Sequence, residues 1–223
     1  MANQHIVKSF EEELVALRKM LIEMNDATAK QLDRVHNAIS KPLDKQDPKL
    51  IQNIIQGDGS INNYDQQVIN LSLSIFRLRN PVAYDLRFVF SATHISRNLE
   101  RIGDNTKNIA KQINNLEKVD EAIQSKLLQM IHISTEMMNI LLHSLSIREM
   151  NCTEEIIKKD ESIDDLYIQI TNLSLQKMKT SPAEINSLHS YLLMSRYLER
   201  IGDHAVNVAR YINFAETSVF LYR

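Results

Sequence analysis

Glycine and proline are scarce in this chain, with four of each among 223 residues, against usual shares of about 7% and 5%. A β-sandwich or barrel needs a turn signal every ~8–12 residues, and a Rossmann-like domain needs glycine at its strand-to-helix turns. Neither fold has its punctuation here, so the chain reads as mostly helix. Cysteine is nearly missing: Cys152 stands alone, which excludes an internal disulfide and agrees with a reducing compartment. A small core or interface residue is expected there. An excess of one charge is missing as well. The formal net charge is −2 with no basic block, which leaves no electrostatic footprint for nucleic acid. No stretch approaches the ~18 apolar residues of a membrane span, and MANQHIVKSFEEELVALRKM carries charge through any window long enough for a signal-peptide core. The expectation is a cytoplasmic protein without direct membrane insertion.

What is present is a 43% hydrophobic content, enough for a core, arranged in long periodic segments. Phe10, Leu14, Leu17, Leu21 and Met24 step by four and three through a first helix over 5–40, which makes a heptad seam. KPLDKQDPK, with Pro42 and Pro48, forms the first connection. A second helix runs to Arg79, Asn80-Pro81 ends it, and Pro81 is expected as the first-turn proline of the third. The third helix carries the seam Ile95, Leu99, Ile102, Thr106, Ile109 and Ile113. A fourth covers 120–149, with Leu127, Leu128, Ile131, Met137, Met138, Leu141 and Leu142. Asn151, Cys152 and Thr153 offer a break with Thr153 as N-cap. The fifth helix reaches Lys179, and Ser181-Pro182 closes it and caps a sixth that reaches Glu216.

The chain also matches itself. RNLERIGDNTKNIA at 97–110 and RYLERIGDHAVNVA at 196–209 agree at nine of fourteen positions. Upstream, IIQGDGSINNYDQQVINLSL at 54–73 parallels IIKKDESIDDLYIQITNLSL at 156–175. The offsets are 99 and 102, so one half carries three extra residues between the matched segments, and similarity of this kind marks a duplicated unit. The expected fold class is therefore all-α: two tandem three-helix bundles related by a pseudo-repeat, six long antiparallel helices in all, divided as 1–116 and 117–223.

The repeated segments carry acids. Glu100 and Asp104 are four apart, as are Glu199 and Asp203, so each pair stacks on one helix face, and Asn108 and Asn207 extend the stripes by a turn. One such pair alone is an ordinary solvated face, with Arg97, Arg101, Arg196 and Arg200 within a turn to neutralise it. Two features add weight. Gly103 and Gly202 sit beside the aspartates inside periodic helices, where glycine costs ~1 kcal/mol relative to alanine. Close approach of another helix or of a bound group would favour the small residue. The companion helix of the second half also carries Asp160 and Asp164, flanked by Glu161 and Asp165. Two facing stripes would supply four carboxylates, an all-oxygen set suited to a hard ion. In the first half Asp58 and Asn62 stand at these positions, with Gly59 in place of Glu161, so that half has one charge fewer and should bind more weakly.

Catalytic patterns are lacking. None of the seven histidines has a Glu three residues upstream, as a di-iron bundle requires, and His132 with Glu136 reads as an ordinary polar pair. No Ser-His-Asp logic or P-loop is present.

The repeated LERIGD-x-x-x-N-[IV]-A segment, PVAYDLRF at 81–88 and FEEELVALRKMLIEM in the first helix together resemble the PhoU family, the regulatory proteins of phosphate-specific transport systems. The resemblance covers residues 5–215 and reproduces the tandem order. It implies a usually dimeric, non-enzymatic protein that restrains phosphate uptake and the phosphate-starvation response, between the phosphate ABC transporter ATPase subunit and a membrane sensor histidine kinase. It also implies metal clusters on the bundle surface, a divalent or trivalent ion among Mg, Mn, Fe, Zn and Ca. The positions that correspond are Glu100, Asp104, Glu199 and Asp203, with Asp160, Asp164 and Asp58 on the companion helices and Gly103, Gly202, Asn108, Asn207, Arg101 and Arg200 supporting the motif. Asn62 and Asn98 depart from the family's acidic pattern. The competing expectation is a carboxylate-bound metalloenzyme or metal-storage bundle; a homodimeric scaffold with unrelated partners is a third. The tail ETSVFLYR lies beyond the repeat.

Overall fold

The computed structural model describes residues 2–42, 47–147 and 152–221. Among these residues all regular structure is helical: α1 (Ala2–Ile39), α2 (Pro48–Arg79), α3 (Ala83–Ile113), α4 (Glu121–Ile147), α5 (Cys152–Thr180) and α6 (Ile185–Thr217), with one 3-10 turn at Pro182–Glu184. The all-α, six-helix expectation holds. Helices α1, α2 and α3 pack on one another, as do α4, α5 and α6, and the halves meet through α3 on α6 and α1 on α4.

The seams read from the sequence become the core. Ile95, Leu99, Ile102, Thr106, Ile109 and Ile113 of α3 are all buried, as are Leu17, Leu21 and Met24 of α1, with Phe10 and Leu14 packed against them. Side chains three and four apart share a helix face, so each seam is a continuous apolar stripe that must be covered. On α6, Met194, Leu198, Ile201, Ala205, Val208 and Ile212 are buried in the same way. Cys152 is buried, as expected of a small core residue.

Helix ends follow local chemistry, with three corrections. Asp47 caps α2 by accepting from the Lys49 amide at 2.9 Å, with Pro48 just inside. Pro81 does not open α3: Asn80 ends α2 in the left-handed region at φ 46°, and Val82 is the extended residue before Ala83. An asparagine in that conformation followed by proline is a helix stop, which places the proline in the connection rather than in the next first turn. Thr153 is not an N-cap. It lies within the first turn of α5, buried, and its hydroxyl donates to the Ala209 carbonyl at 3.4 Å, tying α5 to α6. Ser181 makes no side-chain cap either, because Pro182 opens the 3-10 turn ahead of α6. Residues 43–46, Asn151 and the expected last turn of the fourth helix at 148–149 lie outside the described residues.

The tail folds back on α6. Ser218 is left-handed at φ 62° and its amide donates to the Phe214 carbonyl, while the Asn213 side chain donates to the Val219 carbonyl at 3.0 Å. Phe220 then packs edge-on to Tyr211 and Phe214, extending an aromatic cluster that includes Phe90 and His94 of α3.

Candidate functional site

In the first half, α2 and α3 lie side by side because their apolar stripes, including Ile61 on α2 and Ile102 on α3, are buried between them. This packing brings Asp58 against Asp104, and a lysine sits between them. Lys107 Nζ donates to Asp58 Oδ2 and to Asp104 Oδ1, both at 2.6 Å. Burial works against the Lys107 ammonium, but its hydrogen bonds to Asp104 and Asp58 outweigh that and hold its pKa above the ordinary lysine range. About two turns along α2, buried Asp65 accepts from the Ser96 hydroxyl at 2.8 Å and pairs with Arg97 at 3.3 Å. Glu100 lies 3.5 Å from Arg97 and 3.6 Å from Arg101. Its carboxyl is pushed above the usual range by burial first and then by Asp104, with Arg101 and Arg97 opposing and Asp65 adding to the push.

Gly103 makes this contact possible. A Cβ there would meet Ile61 Cδ1 at 3.0 Å and Asp58 Oδ1 at 3.6 Å. The close approach of another helix, which the sequence reading expects as one reason for glycine here, is present at this position. Gly59, by contrast, has open space around a would-be Cβ, so nothing crowds it.

The second half repeats the geometry with a different balance of charge. Asp160 of α5 is buried, Asp164 is half-buried, and Glu161 and Asp165 face solvent. A Cβ at Gly202 of α6 would collide with Asp160 Oδ1 and touch Ile163 Cδ1 at 3.4 Å. Burial first and then Asp203 push the Glu199 carboxyl above the ordinary range, with Asp164 adding to the effect and Arg196 and Arg200 opposing it. The facing of the α5 and α6 acids is therefore felt electrostatically. Asp203 itself is exposed, on the wall of an open depression of about 410 Å³ lined also by Arg200, His204, Asn207 and Arg210. Asn207 Oδ1 accepts from Arg210 at 3.3 Å. Asn108, at the matching place on α3, is half-buried.

The acids run along facing stripes rather than closing on a point. Among the described residues no group of three or more His, Cys, Asp or Glu side chains converges as a ready metal cage. His132 and Glu136 pair across one exposed turn at 3.4 Å, joined by Lys159 at 2.8 Å, an ordinary surface cluster.

Three participants are missing from the sequence reading. Lys107 and Asp65 stand where the second half has Val206 and Tyr167, so a position-by-position comparison of the repeats carries their signal. The third is a link between the halves: His204 Nδ1 lies 3.0 Å from Asn98 Oδ1. Asn98, which departs from the family's acidic pattern, serves as a clasp between α3 and α6 and also donates to the His94 carbonyl at 2.8 Å. The sequence holds no periodic signal for this pair, because neither residue repeats.

Known proteins share the fold. The PhoU homolog of Clostridium acetobutylicum, a phosphate-specific transport system accessory protein, is 32% identical over 207 residues, spanning 90% of this chain and 91% of that one. The homolog of Caulobacter vibrioides, described in the same words, is 30% identical over 216 residues, 96% and 92% of the two chains. The crystal structure of PhoU from Pseudomonas aeruginosa superposes with a TM-score of 0.87 at 25% identity, over 94% of this chain and all of that one. The sequence model of the PhoU domain matches twice, at residues 21–113 and 127–212. With both repeats matched, the chain belongs to the PhoU family.

Proposed function

We propose that this chain is an accessory protein of a phosphate-specific transport system. It restrains phosphate uptake and the phosphate-starvation response from the cytoplasmic side, as a homodimer that contacts the transporter ATPase subunit and a sensor histidine kinase. The observation that carries this reading is the double PhoU-domain match over both three-helix units, together with relatives named as phosphate-specific transport system accessory proteins that match along nearly their whole length. The role is regulatory and non-enzymatic. In a clean deletion, phosphate-responsive expression should become constitutive and return to normal on complementation. Intact phosphate repression in the deletion strain overturns the reading.

The second-repeat stripe is the part of the molecule proposed to take a hard cation. Glu199 and Asp203 of α6 face Asp160 and Asp164 of α5, and the space a Gly202 Cβ would fill holds the Asp160 carboxylate. A bound ion supplies positive charge to the Glu199 carboxylate, which burial and the charge of Asp203 otherwise disfavour. Mg, Mn, Ca and Fe suit an oxygen-only donor set better than Zn. Elemental analysis of protein purified without chelator should find an ion that the Glu199→Ala, Asp203→Ala double variant loses. Equal metal content in the two proteins removes the assignment. A pull-down from phosphate-replete cells with the same pair then tests whether the ion matters for partner binding.

A further inference from the structure

One difference between the two halves changes the charge at the acidic stripe of α3 and α6. Lys107 on α3 corresponds to Val206 on α6, and of these two only the lysine carries a charge. Its ammonium bridges Asp58 and Asp104 at 2.6 Å each, and the Asn62 amide donates to the same Asp58 oxygen at 3.3 Å. Around this bridge oxygen acceptors are in surplus. Asp58 Oδ1 and Asn62 Oδ1 are buried with no hydrogen-bond partner, whereas Glu100 Oε2 is held by its ion pairs with Arg97 and Arg101; Asp58 as a whole is only 5% exposed. Buried acceptors without donors are costly and call for an explanation. An ammonium is a compact cation with three donors, so one lysine satisfies part of a donor-poor oxygen cluster and leaves the rest orphaned.

We infer that Lys107 is the resident cation of the first-repeat cluster, so that this half needs no metal ion, and that removing Lys107 opens a cation site with oxygens from Asp58, Asn62 and Asp104. A family-type metal does not fit the first repeat as it stands, because the lysine nitrogen lies where an ion bridging Asp58 and Asp104 would sit. The molecule is then asymmetric. Any metal dependence is confined to the second repeat, a contrast that rests on the cation reading given above for that half.

The test uses the full chain with Mn²⁺ as probe. Binding is measured by equilibrium dialysis, and Tm with and without the ion, in the Glu199→Ala, Asp203→Ala background, which silences the second repeat. That background should hold no Mn²⁺ that Asp58→Asn can remove. Adding Lys107→Val, the residue the other half carries, or Lys107→Gln, which keeps a polar side chain of similar reach, should create binding of about one Mn²⁺ per chain. The same ion should raise Tm, and Asp58→Asn should abolish both effects. The inference is overturned if the Lys107-containing background already binds Mn²⁺ through Asp58, or if neither Lys107 variant, shown folded by circular dichroism, gains an ion. Equal Mn²⁺ binding by the parent chain and the silenced background instead counts against the second-repeat site, so the two failures are distinguishable.

Discussion

An alanine at Gly202 would drive its Cβ into the Asp160 carboxylate, whereas at Gly103 the nearest atom is the end of a flexible side chain, Ile61 Cδ1 at 3.0 Å. Alanine inside a helix gains ~1 kcal/mol over glycine, while overpacking a tight contact costs roughly 1–3 kcal/mol. The two substitutions should therefore diverge. Gly202→Ala is expected to lose up to about 2 kcal/mol in chemical denaturation, and Gly103→Ala to be near neutral, because Ile61 can turn aside. Equal effects at both sites would show that the Asp160 contact is not what demands the glycine. Residue identity made these positions visible, since glycine in the middle of a periodic seam is a local anomaly. What approached the glycine was not visible, because Asp58 and Asp160 lie more than forty residues upstream in the chain and only packing brings them near.

At the scale of elements, the contact of α3 with α6 joins the halves and carries two histidines. His94 stacks on Tyr211 with ring centroids 4.4 Å apart, beside Phe90, and His204 faces Asn98. Burial holds both imidazoles below the ordinary value of 6.5, and for His204 the charge of Asp203 opposes that shift while Arg101 and Arg200 add to it. The neutral form is thus favoured in the folded state. A lowered folded pKa contributes stability that is fully present above 6.5 and is lost as pH falls through the folded values. Thermal melts should show Tm dropping as the medium is acidified below that point. His94→Phe should flatten the drop in part, and adding His204→Asn, the residue type found at position 105 in the other repeat, should flatten it further. An unchanged pH profile in the double variant would remove the two histidines from the account. The helices themselves were legible from their periodicity, and α3 began two residues later than its proline suggested because Asn80 and Pro81 act together as a stop. Thr153 was misplaced for a related reason. Its hydroxyl found a partner on α6, which no local cap rule can foresee.

At the scale of the whole molecule, each half offers its partner an apolar surface. The α3 seam serves α1 and α2 on one side and α6 on the other, and α1 also rests on α4. Exposing even a few of these leucines and isoleucines costs about 1.5–3 kcal/mol each, a large part of the ~5–15 kcal/mol that holds a typical domain folded. Residues 1–116 expressed alone should therefore melt at lower temperature and with less cooperativity than the full chain, and co-expression with 117–223 should restore a soluble complex. Gel filtration and circular dichroism melts provide the readout. A sharp transition of the isolated first repeat at the full-chain Tm would mean that the halves are independent units.

The sequence by itself determined the helical class, the duplication and the lines along which the acids lie. Those properties are local: scarce glycine and proline, apolar spacing of three and four, and similar motifs in the same order in each half need no knowledge of what touches what. The tertiary structure decided which charges meet. Lys107 reaches Asp58 across 49 positions of chain, and Asn98 meets His204 across 106, because buried seams set the helices side by side. A stripe of carboxylates read from one helix is the same object in both repeats. Lys107 stands on the α3 stripe itself, but only the packing of α2 brings Asp58 to it and makes that stripe a lysine-bridged cluster, while the other stripe is the candidate cation site.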